Sequence, residues 1–248
     1  MARRKSRQKD TSRQHQPNNS VVNINDAVKS KTRDIRLIPK SKNQEQYILK
    51  LLDEMQDIVI SYGPAGTGKT YLAMQAAIRN LRMGLIDRIV LTRPAVGVED
   101  EKHGFLPGKL EEKMAPWTRP LLDVMRKYYT PPDITRMLEN QIVEIAPLAF
   151  MRGRTFENSW IIGDEMQNAT PGQMKMLLTR IGEGSKIIVT GDIEQTDKHH
   201  TENGLLDLCT RLDGQMHNGI STCRLTAKDI QRHRIIESVL TMYGDVKL

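Results

Sequence analysis

The residues Gly63-Pro64-Ala65-Gly66-Thr67-Gly68-Lys69-Thr70 have the spacing G-x-x-x-x-G-K-T and directly follow an aliphatic run. Glycines at these positions let backbone N–H groups turn inward around a phosphate chain. A helix starting at the lysine aims its positive end at the same oxygens. Lys69 would reach the β- and γ-phosphates, and Thr70 would ligate Mg²⁺ through its hydroxyl. A second constellation is SWIIGDEMQ, residues 159–167, where an apolar run stops at two adjacent carboxylates. Burying a carboxylate is costly unless it is paired. Beside a dication it is no longer an orphan charge. Asp164 is thus a metal-holding acid, and Glu165 is placed to accept a proton from an attacking water. An adjacent glutamate suits hydrolysis better than a kinase, which must exclude water. A third polar stop, Thr190-Gly191-Asp192-Ile193-Glu194-Gln195, follows another aliphatic run and offers Gln195 as a γ-phosphate sensor. Without the other two motifs, that stop would read as a solvated turn. Thr226-Ala227-Lys228-Asp229 has its lysine in the wrong place for the guanine-selecting N-K-x-D pattern, which argues against GTP.

These groups must be carried by elements that bring them together. Strand-like runs fall at 57–62, 88–92, 142–145, 160–162 and 186–190, with a sixth candidate at 219–225. Several are continuously aliphatic, as suits strands covered on both faces, so the fold class expected is α/β with a mostly parallel central sheet flanked by helices. A helix from about Lys69 buries Leu72, Ala73, Ala76, Ala77 and Leu81 on one face and ends near Gly84. Thr170-Pro171-Gly172-Gln173 reads as a capping box with proline at the first helical position. Met174, Leu177, Leu178 and Ile181 form the stripe that follows, and its methionines are core filler. Residues 97–140, with the turn-rich Gly104–Gly108 and the breakers Pro116 and Pro120, read as a helical insertion over one end of the sheet. Trp117, Tyr128 and Tyr129 are its packing anchors.

The chain has 248 residues, room for one sizeable core. Its charge is lopsided. Residues 1–42 hold twelve Lys/Arg against three acids, a net +9, which leaves −2 for the rest of a chain totalling +7. Residues 1–36 are expected to be a basic, largely disordered segment, and residues 37–248 the folded domain. A basic arm attracts phosphate backbones, although a solubilising tail would look the same. No secretory h-region and no apolar run of about 20 residues is present, so no membrane association is expected. Cys209 and Cys223 read as buried thiols of a reducing cytosol. His199-His200 reads as a surface turn, not a metal pair. Aromatics make up 4% of the chain, which favours phosphate contact over base stacking for any nucleic-acid partner.

Taken together, GPAGTGKTYLA at 63–73, TRPAV at 92–96, GFLPGKLEEK at 104–113, FMRGRTF at 150–156, DEMQNATPGQMKMLLTRIGEGSK at 164–186 and VTGDIEQTD at 189–197 resemble the PhoH-like family of P-loop ATPases, relatives of superfamily 1 helicases. The resemblance spans about residues 37–245. It implies a RecA-like core binding ATP and Mg²⁺. In it, Lys69 and Thr70 match the phosphate and metal residues, Asp164 and Glu165 the metal acid and base, and Gln195 the sensor. Gln44 stands where relatives keep an adenine-reading glutamine. Arg93, in Thr92-Arg93-Pro94, matches a motif facing the nucleic-acid strand. Arg232, in Arg232-His233, is the candidate arginine finger, with Arg180 as second choice. Met166 departs from the family's small alanine, and Asn203-Gly204-Leu205 lacks the usual preceding serine. No upstream nuclease domain, and hence no ribonuclease activity, is expected. A single RecA-like lobe implies that a second subunit closes the site, as in a homo-oligomeric ring, a hexamer by resemblance. The implied activity is ATP hydrolysis acting on RNA or single-stranded DNA through Arg93, Arg152, Arg154 and the arm. The implied setting is the cytoplasm of a bacterium or a phage-infected host. The alternatives are a nucleotide-switched binding or assembly protein with little turnover, and a P-loop kinase.

Overall fold

The computed structural model describes residues 35–94, 122–195, 203–231 and 242. Six strands form one sheet: β1 (Ile58–Tyr62), β2 (Arg88–Arg93), β3 (Val143–Pro147), β4 (Ser159–Gly163), β5 (Lys186–Gly191) and β6 (Ile220–Arg224). Their order is β3-β2-β4-β5-β1-β6, and every pairing is parallel. This meets the expectation of a RecA-like α/β fold. The helices are α1 (Lys42–Leu52), α2 (Lys69–Arg82), α3 (Pro131–Glu139), α4 (Pro171–Leu178) and α5 (Gly204–Leu212).

The aliphatic strands alternate between two cores. Val59, Ile89, Leu91, Ile162 and Ile188 face one side, against α1, α2 and α3. Ile60, Val90, Ile161, Ile187 and Val189 face the other, against α4 and α5. Each such buried side chain contributes about 1.5–3 kcal/mol, and covering both faces is what parallel strands require. Register then aligns the strand ends. Tyr62 pairs with Gly191, Gly163 with Val189, Thr92 with Gly163, and Arg93 with Pro147. The segments after β1, β2, β4 and β5 therefore start from one edge of the sheet, the edge where α/β folds build their sites.

Several expectations need correction. Thr170 does cap α4 through a capping box, but the helix ends at Leu178, so Ile181 lies beyond it. The chain is diverted there by Phe156, whose N–H donates to Arg180 O and whose carbonyl accepts from Gly182 N. The folded body begins before residue 37, because Ile35 is buried in the core. Residues 1–34 lie outside the described residues. Cys223 is buried, whereas Cys209 is only partly so, and both are free thiols. Of the segment 97–140, residues 97–121, including Trp117, lie outside the described residues. The remainder packs against the α2 face, where Met125, Tyr129, Ile134 and Met137 join its core. The Arg82 guanidinium lies 5.8 and 4.8 Å from the Tyr128 and Tyr129 ring centroids, consistent with their role as anchors. Among the described residues no helix is long and apolar enough to cross a membrane.

Lys186 opens β5 almost fully buried and donates to Leu51 O at 2.8 Å and Asp53 O at 2.7 Å. Burial lowers its pKa from 10.5 to about 8. Between those values the unfolded chain binds the extra proton, so stability rises as pH climbs from about 8 toward 10.5. The penalty is fully present below that window. Wild type is expected to gain about 2–3 kcal/mol across the window relative to Lys186→Met, read from urea midpoints at successive pH values. Parallel pH profiles for the two proteins would refute this.

Candidate functional site

The loop between β1 and α2 has its shape because three glycines accept backbone angles that other residues resist. Gly63, Gly66 and Gly68 have φ values of +139°, +84° and +86°. At Gly63 there is also no room, since an added Cβ would lie 2.0 Å from Leu225 O. α2 starts after Gly68 with no side-chain cap and no acid in its first turn, so its leading N–H groups are left for an anion. Lys69 Nζ folds back on the loop, donating to Gly63 O at 2.6 Å and Pro64 O at 2.8 Å, with Thr67 Oγ1 at 3.5 Å. Thr67 Oγ1 donates to Pro64 O at 2.9 Å, bracing the turn. The cradle thus offers a buried ammonium and an uncapped helix start, a setting that fits a phosphate chain.

The acids arrive from the neighbouring strands. Asp164 Oδ1 accepts from Thr70 Oγ1 at 2.6 Å and from Thr190 Oγ1 at 2.7 Å. One hydroxyl from α2, one from β5 and a carboxylate after β4 therefore meet at a point. Hard oxygen donors of this kind suit Mg²⁺, which is commonly held by one or two protein groups plus water and phosphate oxygens.

Glu165 has φ 52° and ψ 40°, a left-handed conformation uncommon for a non-glycine residue. Its Oε2 accepts from Gln167 Nε2 at 2.5 Å, and its Oε1 lies 3.3 Å from Arg93 Nη2. Gln167 Oε1 in turn accepts from Asp192 N at 3.1 Å, tying the end of β4 to the end of β5. Met166, the family departure, is fully buried and packs behind Gly163, where an added Cβ would meet Met166 Sδ at 3.1 Å.

Ala65, Lys69, Thr70, Asp164, Glu165 and Gln195 line one cleft of about 300 Å³. It shares Gly66, Gly68 and Tyr71 with a hollow of about 380 Å³ that reaches Gln44. Gln44 is buried. Its Nε2 donates to Thr67 O at 2.9 Å and its Oε1 accepts from Lys40 N at 2.9 Å, so it also braces the loop from behind. A larger hollow of about 810 Å³, by Asp57 and Lys186, lies at the opposite edge of the sheet and contains none of the cradle residues.

Other expected residues are placed differently. Arg154 is partly exposed, at 35%, but already engaged. It forms a two-pronged pair with Glu144, Nη2 to Oε2 at 2.8 Å, and its guanidinium sits 4.5 Å from the Phe156 ring centroid. That hydrogen-bonded guanidinium holds the Glu144 carboxyl below its usual range. Arg180 donates to Met176 O, Arg154 O and Thr179 Oγ1, which ties it to the end of α4 and to the loop before Phe156. Arg93 faces Glu165, while Arg152 is exposed. Arg232, His199 and His200 lie outside the described residues. Sequence reasoning missed Thr190, Gln167, Asp192 and Tyr71 as parts of the site. The polar end of the aliphatic β5 run was a usable signal for Thr190. The same polar stop contains Asp192, and the 159–167 stretch ends on Gln167, but neither motif assigned those residues a partner.

The family model described as PhoH-like protein matches residues 36–244. A PhoH-like protein of Bacillus subtilis is 44% identical over 215 residues, covering 86% of this chain and 65% of that protein. A PhoH-like protein of Synechocystis is 42% identical, covering 87% and 65%, and protein PhoH of Escherichia coli is 39% identical, covering 86% and 60%. The chain therefore spans less than two thirds of the length of these curated relatives. Among solved structures, the Pif1 helicase of Candida albicans matches at 16% identity and TM-score 0.40, covering 84% of this chain and 44% of that one. The Hef helicase domain of Pyrococcus furiosus matches at 15% identity and TM-score 0.42, covering 77% and 39%.

Proposed function

The chain belongs to the PhoH-like protein family, and from that premise we propose that it binds ATP with Mg²⁺, hydrolyses it, and acts as an oligomer on RNA or single-stranded DNA. The observation that carries the reading is the junction of Thr70 and Asp164 at 2.6 Å, with Glu165 adjoining and Lys69 lining the same cleft. Bound Mg²⁺ would supply charge neutralisation between phosphate oxygens. Thr70 and Asp164 are the groups that would hold it, with Thr190 orienting the carboxylate. Lys69 exchanges its loop carbonyls for phosphate oxygens. Glu165 takes the proton of the attacking water, and Gln195 orients that water from across the cleft. Gln44 keeps the loop in shape and faces the hollow in which a base would lie.

The ring, and Arg232 as a finger reaching a neighbour's site, rest on the family resemblance. So does the placement of the protein in the cytoplasm of a bacterium or a phage-infected host. Arg93 and Arg152 remain as candidate strand contacts. Arg154 could join them only by giving up its two-pronged pair with Glu144.

The test is phosphate release from ATP with no acceptor present, with and without Mg²⁺, and with and without RNA or single-stranded DNA. Mg²⁺-dependent release, raised by a polymer and lost in Lys69→Ala, is the expected result. Release only when an acceptor is supplied would favour a kinase. No release at all would end the ATPase reading. Mixing Arg232→Ala with Glu165→Gln subunits is expected to give a curved dependence of activity on composition, whereas a straight line would exclude a shared site.

A further inference from the structure

Glu165 is the proposed base, yet neither of its oxygens is unengaged. Oε2 holds Gln167 at 2.5 Å and Oε1 faces Arg93 at 3.3 Å. The second contact is built by the sheet and is not an accident of a loop. Arg93 is the last residue of β2, Thr92 pairs with Gly163, and Asp164 N donates to Thr92 O at 2.9 Å. The strand ladder thus carries Arg93 up to Glu165. Backbone geometry pins the other side, because the left-handed Glu165 runs straight into the 3₁₀ turn Met166–Asn168.

The pair is nonetheless easy to break. Its side chains are 30% and 39% exposed, and the contact is a single long prong. Ion pairs of that kind are weak and screened by salt. Arg154 shows the contrast, with two prongs on Glu144, which is 17% exposed. Arg93 also stands beside a surface suited to a strand. It pairs with Pro147, after which the turn Leu148–Met151 exposes Phe150, 54% accessible, next to the exposed Arg152. An exposed aromatic two residues from an exposed arginine offers a stacking face and a phosphate contact to a single strand.

We propose that Arg93 is a positioning residue that latches Glu165 in the strand-free protein and lets it go when a phosphodiester backbone claims the guanidinium. The base and the strand would then compete for one side chain, and hydrolysis would be coupled to strand occupancy. The inference rests on the strand-acting ATPase reading above and adds the device that regulates it.

Competition of this kind is reciprocal and so can be measured without nucleotide. Fluorescence anisotropy of labelled oligo(U) and oligo(dT) would be followed on the full chain for wild type, Glu165→Gln, Arg93→Gln, Arg93→Lys and the double variant. Glu165→Gln is expected to bind a strand roughly 2- to 5-fold tighter than wild type, the range an exposed ion pair supports. Arg93→Gln is expected to bind more weakly, with the salt slope reduced by about 0.7. The double variant should show no gain over Arg93→Gln, and Arg93→Lys should keep part of the gain when combined with Glu165→Gln. In parallel, Arg93→Gln should release phosphate faster than wild type without a polymer, and its stimulation by polymer should fall toward none. Wild-type affinity in Glu165→Gln, or a gain that persists without Arg93, would overturn the latch alone. A wild-type protein that binds neither polymer would overturn the strand-acting reading and the latch with it.

Discussion

Glu165→Gln is expected to lower acceptor-free phosphate release by about 10²- to 10⁴-fold, the range attributed to a positioned general base, while nucleotide stays bound. The substitution preserves length and removes only the proton acceptor. Gln167 can still donate to the amide oxygen that replaces Oε2. The metal-holding group is untouched, because Thr70, Thr190 and Asp164 are joined to one another and not to Glu165. Lys69 and its loop carbonyls are likewise left alone. Affinity for a fluorescent ATP analogue should therefore stay within a few-fold of wild type. A variant that turns over within tenfold of wild type would remove Glu165 from the role of base. A variant that neither binds nor hydrolyses would show that Glu165 shapes the cradle instead.

Gly63→Ala is the substitution expected to cost the most stability. Two penalties coincide at this position. The backbone has φ +139°, which side chains rarely adopt, and the new Cβ would sit 2.0 Å from Leu225 O. The opposing atom is main chain, held because Leu225 N donates to Tyr62 O at 2.8 Å. It cannot swing aside as a side chain would. Backbone strain of about 1–3 kcal/mol and overpacking of similar size together suggest a loss of about 2–5 kcal/mol. At about 2–4 °C per kcal/mol for a chain of this size, melting should fall by about 5–15 °C. Gly84→Ala is the matched control, since φ there is +69° but nothing lies within 4 Å of the new Cβ. It should lose only about 1 kcal/mol. Equal melting temperatures for the two variants would mean that the segment after β6 yields freely.

The cradle and the strands were legible because their signals are local. Eight consecutive residues specify the loop, since glycine's freedom and the helix start act over that span. An aliphatic run of five specifies a buried strand, and Thr170 with Gln173 specifies a helix start observed with both capping bonds. Even the left-handed turn at Glu165 sits within the quoted motif, although no residue type there announced it.

What could not be read were partners chosen by sheet order. Thr190 reaches Asp164 across 26 residues and Thr70 reaches it across 94, only because β5 lies between β1 and β4. Arg93 and Arg154 looked alike in sequence as free basic groups. The fold turned one toward Glu165 and closed the other onto Glu144. By itself the chain determined which residues could grip a phosphate and where strands and helices begin, because short-range backbone preferences and burial patterns are written residue by residue. Only the tertiary structure decided which charge answers which. That choice depends on strand order and register, which arise from packing the whole apolar surface at once.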